Sequence, residues 1–230
     1  QIIHDVALQN LPVVICLDRA GLVGEDGATH HGCYDIAAYR CVPNAVIAVP
    51  ADELELKNMM YTASMANGGP FIIRYPRGCG ENVPWKTAEY ELMSPGHGQR
   101  VVEGRDIAVI AAGPSVWRAR EAIEEFSREK GWTPSLYNIR YIKPIDEDLL
   151  KEACTGHRTI ITIEDGCVAG GLHGAVSEYA AERFPGVEVL GIGIPDEFVA
   201  QASQAEQREY CGLTTGRILR TLLREAAKIK

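Results

Sequence analysis

Short runs of aliphatic and β-branched residues without polar alternation most constrain how this chain can fold. They lie at residues 11–17, 45–49 and 71–73, and again at 107–112, 136–139, 159–163 and 187–192. A strand covered on both faces has this pattern, whereas a strand with one solvent-exposed face alternates polar and apolar residues. These runs therefore predict strands of parallel sheets that lie between layers of helices.

Stretches with helical spacing separate these runs. Residues 52–66 carry Leu56, Met59, Met60 and Ala63 on one stripe, and a second stripe starts after Ser115, which is a suitable N-cap. Further helices are predicted from residue 146, over 172–180 and over 215–227. Strands that alternate with helices indicate βαβ crossovers. The predicted fold class is α/β, with three-layer parallel-sheet domains.

Residues 78–105 interrupt this alternation, because periodicity is lost there and Pro84, Pro95 and several glycines appear. A chain of 230 residues fits one large or two small domains. We therefore predict a first domain over residues 1–80, a linker over 81–105 and a second domain over 106–230.

Charge and composition exclude several classes of protein. The chain is 46% hydrophobic and 23% charged, which excludes a disordered chain, and its net charge of −8 provides no general field for nucleic acid or anionic lipid. The seven cysteines are scattered without CxxC or metal-ligand spacing, which predicts reduced thiols and a cytoplasmic setting. No window approaches ~18 consecutive apolar residues, so no membrane span is predicted. Any anionic ligand must meet a local basic site.

The densest polar cluster, DRAGLVGEDGATHHG at residues 18–32, follows the first predicted strand. Ligands of open parallel sheets bind beyond the carboxyl ends of the strands. Arg19 offers an anion anchor, and Asp26 and His30 offer an acid–base pair. The alternative is an irregular surface loop in which Asp26 and His30 pair with each other.

A second cluster, RYPRG at residues 74–78, follows the third predicted strand. Arg74 and Arg77 flank Pro76, and two guanidinium groups can hold a phosphate or carboxylate through parallel hydrogen bonds. The alternative is a solvated pair that meets surface acids. Both clusters leave strands of the same predicted sheet at the same edge, which favours a ligand site.

A weaker candidate is the pair Gly170 and Gly171, which opens a predicted helix after the strand that ends in Glu164 and Asp165. The free N–H groups of that helix could hold an anion. Helix packing explains the two glycines equally well. The histidines have no metal-ligand spacing, so no metal site is predicted.

The two clusters, together with Pro43-Asn44, resemble the 1-deoxy-D-xylulose-5-phosphate synthase family of transketolase-like enzymes. The GEDGxTH core at residues 24–30 is shared with transketolases at large, whereas DRAG at 18–21 and RYPRG at 74–78 are typical of the synthases. The likeness continues through residues 163–165, 170–171 and 191–196. It implies the latter part of a pyrimidine-binding domain up to about residue 80, followed by a transketolase C-terminal domain.

The resemblance also implies an activity. Enzymes of this family condense pyruvate with D-glyceraldehyde 3-phosphate on thiamine diphosphate, with loss of CO₂, for isoprenoid, thiamine and pyridoxal biosynthesis. Arg19 and Arg77 are predicted to bind the phosphate of the aldehyde, since paired guanidinium groups suit a dianion. His30 is predicted to contact the reacting oxygen and Asp26 to orient His30 or the substrate hydroxyls. His31 is the weaker histidine candidate.

The resemblance further implies that part of the enzyme lies before Gln1. The diphosphate and Mg²⁺ motif, the glutamate that activates the aminopyrimidine, and one arginine are expected upstream, so this chain is expected to hold no cofactor or metal ligand and to be inactive alone. A homodimer is implied. Two alternatives remain: another thiamine diphosphate enzyme, such as a transketolase or a 2-oxo acid dehydrogenase subunit, or a noncatalytic module that binds sugar phosphates or a partner chain.

Overall fold

The computed structural model of the chain describes residues 1–229. Two sheets and their helices account for most of these residues. The first half contains a π-helical segment at Ile2–Ala7, β1 at Val14–Ala20, a 3-10 turn at Gly24–Asp26, α1 at Asp35–Arg40, β2 at Val46–Ala48, α2 at Glu53–Ser64 and β3 at Phe71–Pro76. The rest of the chain contains β4 at Gln99–Val102, β5 at Asp106–Ala111, α3 at Ser115–Lys130, β6 at Ser135–Asn138, β7 at Tyr141–Lys143, α4 at Glu147–Gly156, β8 at His157–Cys167, α5 at Leu172–Arg183, β9 at Glu188–Ile194, α6 at Gln204–Tyr210 and α7 at Thr215–Ala226.

The first sheet has the strand order β1-β3-β2-β7. Its strands β1, β3 and β2 are parallel, with Val14 and Val46 both opposite Phe71. Strand β7 comes from the second half of the chain and pairs antiparallel with β2, where Lys143 lies opposite Ile47. Since β1 and β3 are adjacent and parallel, the loops after their carboxyl ends leave the sheet side by side.

The second sheet has the strand order β4-β6-β5-β8-β9, in which only β4 runs antiparallel to its neighbour. Alternate residues of the central strand β5 enter different cores: Val109 packs with α3 and α7 through Phe126 and Leu222, whereas Ile110 packs with α4 and α5 through residues such as Val176. Each fully buried side chain of this size contributes ~1.5 to 3 kcal/mol. The helix–sheet–helix layers confirm the predicted α/β class.

The structure corrects two local predictions. Strand β1 is not covered on both faces: exposure alternates along its first residues, and Val14 is 39% exposed. Within residues 1–229 it is also an edge strand of its sheet. Ser115 is not an N-cap. It is the first residue of α3, and Pro114 occupies the capping position without a side-chain hydrogen bond.

The segment at residues 81–105 ends in a strand, since β4 lies within it. Leu22, Cys33 and Ala51 of the first half also join the core that α3 and α7 cover. The proposed division into two domains and a linker stays a prediction. No helix within residues 1–229 is both long and apolar enough to cross a membrane.

Candidate functional site

Arg19 and Arg77 converge on one carboxylate beyond the carboxyl ends of β1 and β3. Arg77 Nη1 donates to Asp26 Oδ2 at 2.6 Å and to the Val23 carbonyl at 3.1 Å, and Arg19 Nη1 lies 4.0 Å from the same Asp26 oxygen. The three charged side chains are 36 to 48% exposed, so a ligand can reach them. The structure thus brings together three of the four predicted site residues.

The loop that carries these residues is closed at its base. Gly21 and Gly32 exchange backbone hydrogen bonds of 2.8 and 3.0 Å. Gly21 has a φ of +76°, and a Cβ at this position would overlap the Asp165 carboxylate. Only glycine combines this backbone conformation with so close an approach. Arg19 itself has a φ of +58°, a conformation that few non-glycine residues adopt and that is found at functional sites.

Helix α6, which lies in the second half of the chain, contacts the loop after β1 through two glutamines. The buried Gln207 accepts from the Gly24 N–H at 2.9 Å and donates to the carbonyls of Gly24 and Ala200 at 3.0 and 2.9 Å. Gln204 donates to the carbonyls of Leu22 and Arg77 at 2.8 and 3.2 Å. Neither glutamine is a candidate site residue on sequence grounds.

A sequence signal for α6 does exist. Ser203 and Glu206 form a capping box, in which each side chain bonds the backbone N–H of the other residue. A Ser followed three residues later by a Glu is a known mark of a helix start. The signal locates the helix and does not say which loop its glutamines contact.

The two adjacent histidines have different environments. The exposed His30 has Nδ1 2.9 Å from Thr29 Oγ1 and is not paired with Asp26, which bonds Arg77 instead. His31 is half-buried: its Nδ1 accepts from the Val23 N–H at 3.2 Å, so its Nε2 carries the proton and donates to the Val199 carbonyl at 3.2 Å. The His31 ring therefore ties the loop to the second half of the chain, and only His30 is available to a ligand.

Arg74 does not form a fork with Arg77. Its side chain is 3% exposed, Nε donates to Asp35 Oδ2 at 2.7 Å, and Nη2 donates to the Gly32 and Asp165 carbonyls at 3.1 and 3.0 Å. Burial acts to lower the pKa of Arg74, but the Asp35, Asp165 and Glu164 carboxylates together outweigh it and raise the pKa. All of these contacts are structural, so Arg74 is not available to a ligand, and ligand binding by Arg77 stays a prediction.

The start of α5 is occupied by a side chain of the protein. The buried Glu164 accepts from the Leu172 and His173 N–H groups, each at 2.8 Å, and a Cβ on Gly171 would overlap its carboxylate. Burial raises the pKa of Glu164 to about 7 despite these hydrogen bonds. Of the two interpretations of Gly170 and Gly171, close packing is therefore the correct one at Gly171.

Arg77 lines a cavity of about 490 Å³. It lies between the first turns of α2 and α3 and helix α6, and its charged lining includes Asp52, Glu81, Arg118 and Arg208. The volume is within the usual range of small-molecule sites, roughly 300 to 1,000 Å³.

The described residues do not fit a metal ion. No group of three or more His, Cys, Asp or Glu side chains within residues 1–229 is arranged to hold one. The seven cysteines are free thiols, and burial strongly raises the pKa of Cys33, which makes it a poor nucleophile.

Known proteins resemble this chain over nearly its whole length. The 1-deoxy-D-xylulose-5-phosphate synthases of Bacteroides thetaiotaomicron and Aquifex aeolicus are 48% and 41% identical to it over 97% and 93% of the chain, which confirms the predicted resemblance. The chain spans about a third of the length of these relatives, 34% and 33%.

Solved transketolases share the fold. A solved chain described as a split gene transketolase, inactive beta4 tetramer, superposes with a TM-score of 0.86 at 28% sequence identity. The matched region covers 97% of the present chain and 70% of the solved chain. A transketolase from Pichia stipitis has a TM-score of 0.72 at 19% sequence identity, and the match covers 96% of the present chain and 31% of the transketolase chain. At this identity the likeness supports the fold alone.

Two family models match the sequence. The transketolase pyrimidine binding domain matches residues 1–81, and the transketolase C-terminal domain matches residues 96–218. The two matches follow the order in which the sequence predicted these regions. The chain therefore belongs to the transketolase family.

Proposed function

We propose that this chain forms the acceptor-phosphate part of a 1-deoxy-D-xylulose-5-phosphate synthase. The complete enzyme would condense pyruvate with D-glyceraldehyde 3-phosphate, with loss of CO₂, in a reaction that depends on thiamine diphosphate. Relatives of that name at 41 to 48% identity support the proposal, as do the DRAG and RYPRG motifs.

The convergence of Arg19 and Arg77 on a single oxygen of Asp26 carries the proposal. An internal carboxylate already lies between two accessible guanidinium groups, so the position attracts negative charge. A phosphate dianion offers three oxygens and binds guanidinium groups through charge-assisted, paired hydrogen bonds. The phosphate of the aldehyde substrate would bind Arg19 and Arg77, and Asp26 would turn toward the hydroxyl group of the substrate.

His30 would serve the reacting oxygen. Its Nδ1 lies beside Thr29 Oγ1, which leaves Nε2 for the substrate. As the new carbon–carbon bond forms, the aldehyde oxygen gains negative charge, and the imidazolium form of His30, whose Nδ1–H donates to Thr29 Oγ1, can transfer its Nε2 proton to that oxygen and become neutral imidazole. Imidazole suits this task near neutral pH.

The cofactors are proposed to bind outside this sequence. The described residues offer no ligand cluster that fits Mg²⁺, so we propose that residues elsewhere in the enzyme hold thiamine diphosphate and Mg²⁺. We further propose a cytoplasmic homodimer with no nucleic-acid or membrane partner.

We infer that this stretch of chain is inactive without those residues. The neighbour described as a split gene transketolase in an inactive beta4 tetramer supports this inference, because 97% of the present chain superposes on it. The alternatives of another thiamine diphosphate enzyme and of a noncatalytic sugar-phosphate module are distinguished by the product formed.

The test supplies the full natural chain with thiamine diphosphate, Mg²⁺ and pyruvate, with and without D-glyceraldehyde 3-phosphate. Released CO₂ and the sugar phosphate product are measured, and the 230-residue stretch serves as the control. The expected result is 1-deoxy-D-xylulose 5-phosphate that forms only with the aldehyde and only in the full chain. Decarboxylation without this product would assign the chain to a different thiamine diphosphate enzyme, and no reaction at all would favour the noncatalytic module.

A further inference from the structure

The cavity beside Arg77 contains two arginines that the proposed function does not use. Arg118 projects from α3 and Arg208 from α6, and both line the cavity. The Nε atom of each is buried and has no hydrogen-bond partner within residues 1–229. Arg118 donates one bond, from Nη2 to Ser115 Oγ at 3.0 Å. Neither arginine forms an ion pair in the part of the chain that the structure describes, whereas Arg77 is paired with Asp26.

Unpaired guanidinium groups in a partly closed cavity are unfavourable, because they lose water without gaining a partner. Burial lowers the pKa of Arg118, and the positive charge of Arg208 lowers it further against the opposing effect of Asp165. An anion that bound between the two side chains would supply the missing partner for both.

Helix α3 adds positive potential to the same cavity. Its capping position is Pro114, which lines the cavity and offers no side-chain acceptor, while the hydroxyl of Ser115 accepts from Arg118 instead. In the first turn of this 16-residue helix the Val116 and Trp117 N–H groups bond the Gly113 and Pro114 carbonyls at 3.0 and 3.3 Å, so the helix contributes the positive end of its dipole rather than free donors.

The opposite side of the cavity is acidic, but most of its carboxylates already have partners. Asp52 accepts from the Leu54 and Glu55 N–H groups, and Glu53 accepts from those of Glu81 and Asn82. Glu81 remains as an exposed carboxylate without such a role, and partial desolvation raises its pKa. Carboxylate oxygens accept hydrogen bonds from hydroxyl groups.

We propose that this cavity is a second anion site, which binds a phosphate monoester that carries hydroxyl groups. The phosphate binds between Arg118 and Arg208 at the first turn of α3, and the hydroxyl groups face Glu81. Arg77 lines the same cavity, but its Nη1 bonds the Asp26 carboxylate and the Val23 carbonyl, so the proposed phosphate position between Arg118 and Arg208 is a different one. Its existence does not depend on the proposed enzymatic activity.

The test measures binding of glycerol 3-phosphate and of inorganic phosphate to the full natural chain by titration calorimetry. Glycerol 3-phosphate is expected to bind two sites, one removed by R77Q and the other by R118Q or R208Q, with an affinity loss of about tenfold or more at the affected site. R120Q is the matched control, because Arg120 lies on the same helix, is exposed and pairs with Glu124. Inorganic phosphate is expected to bind the second site more weakly than glycerol 3-phosphate.

Each outcome decides a different point. Unchanged binding in both R118Q and R208Q overturns the second site, whereas an unchanged R77Q contradicts the proposed acceptor site and leaves this one standing. If R77Q and R118Q remove the same single site, the cavity is part of the acceptor site and the proposal is wrong. Equal affinity for inorganic phosphate overturns the role of the hydroxyl groups.

A measurement on the unmodified sequence covers the case in which a variant fails to fold. Phenylglyoxal modifies accessible arginines, and the modified peptides are identified by mass spectrometry. Glycerol 3-phosphate is expected to protect Arg118 and Arg208 and to leave Arg120 unprotected. Lack of protection at both cavity arginines overturns the proposal.

Discussion

Arg74 and Arg77 are three residues apart on one motif, yet their environments differ completely. Arg74 is 3% exposed and bonds Asp35 and two backbone carbonyls, whereas the Arg77 side chain is 46% exposed and holds Asp26 at the mouth of a loop. A buried arginine with satisfied donors fixes the positions of its neighbours. An exposed arginine whose charged partner is a single, partly exposed carboxylate can exchange that partner for a ligand.

The same contrast recurs at His30 and His31, which are adjacent in sequence. The half-buried His31 uses both ring nitrogens on backbone groups, and the exposed His30 contacts only Thr29 in the part of the chain that the structure describes. In both pairs, residue type is constant and the available hydrogen-bonding capacity differs. That capacity, rather than residue type, separates structural from ligand-binding positions at this site.

The largest expected effect comes from Arg74→Ala. It leaves the Asp35 carboxylate and two carbonyls without their donor, and loss of one partner of a buried ion pair costs about 3 to 5 kcal/mol. Arg77→Ala, the matched control, is expected to change the free energy of unfolding by less than about 1 kcal/mol, because its ion pair is exposed. Urea denaturation measures both values, and equal losses would remove the distinction between the two arginines.

Glu164, whose charge interacts with that of Arg74, is expected to make the stability of the protein depend on pH. Its folded-state pKa of about 7 lies above the ordinary value of 4.5, so the folded protein holds this proton more tightly than the unfolded chain. The resulting stabilisation is fully present below pH 4.5 and is lost as the pH rises to 7, by about 3 kcal/mol. Glu164→Gln is expected to remove this part of the pH dependence in urea titrations. An identical dependence in both proteins would show that Glu164 titrates normally.

The histidine pair is tested by two substitutions in the full natural chain. His30→Ala is expected to lower kcat by about 100-fold, the lower range for loss of a proton donor. His31→Ala is expected to lower stability by about 1 to 2 kcal/mol, because the Val23 N–H loses its acceptor. Steady-state kinetics and thermal unfolding measure the two effects. Unchanged turnover in His30→Ala refutes its catalytic role.

The smallest expected effect concerns binding of the aldehyde substrate by Arg77. Arg77→Ala in the full chain should raise the KM for D-glyceraldehyde 3-phosphate about tenfold and leave the KM for pyruvate unchanged, because only the aldehyde carries a phosphate. Arg100→Ala is the control, since Arg100 of β4 is a similarly exposed arginine that pairs with Glu152 of α4. Equal changes in both KM values would rule out phosphate binding by Arg77.

Much of the fold was predictable from hydrophobic pattern. The runs at 107–112 and 159–163 correspond to β5 and β8, and the stripe after Ser115 to α3, because these elements bury apolar side chains at a regular period. The pattern missed β7, which has three residues, and α6, where Gln207 is the one buried residue. A three-residue strand is too short to show a period even though it buries Tyr141 and Ile142, and α6 leaves little apolar signal because its buried side chain is polar.

The sequence alone determined the α/β class, the family resemblance and the two clusters that meet at one sheet edge, because each depends on residues that are close in the chain. Tertiary structure decided which members of those clusters are free. Asp165 and Gly32 turn Arg74 inward, Gln207 and His31 fasten the loop, and Glu164 fills the start of α5. Most of these partners lie tens of residues or more along the chain from the groups they bind, and contacts over such separations depend on how the two sheets pack.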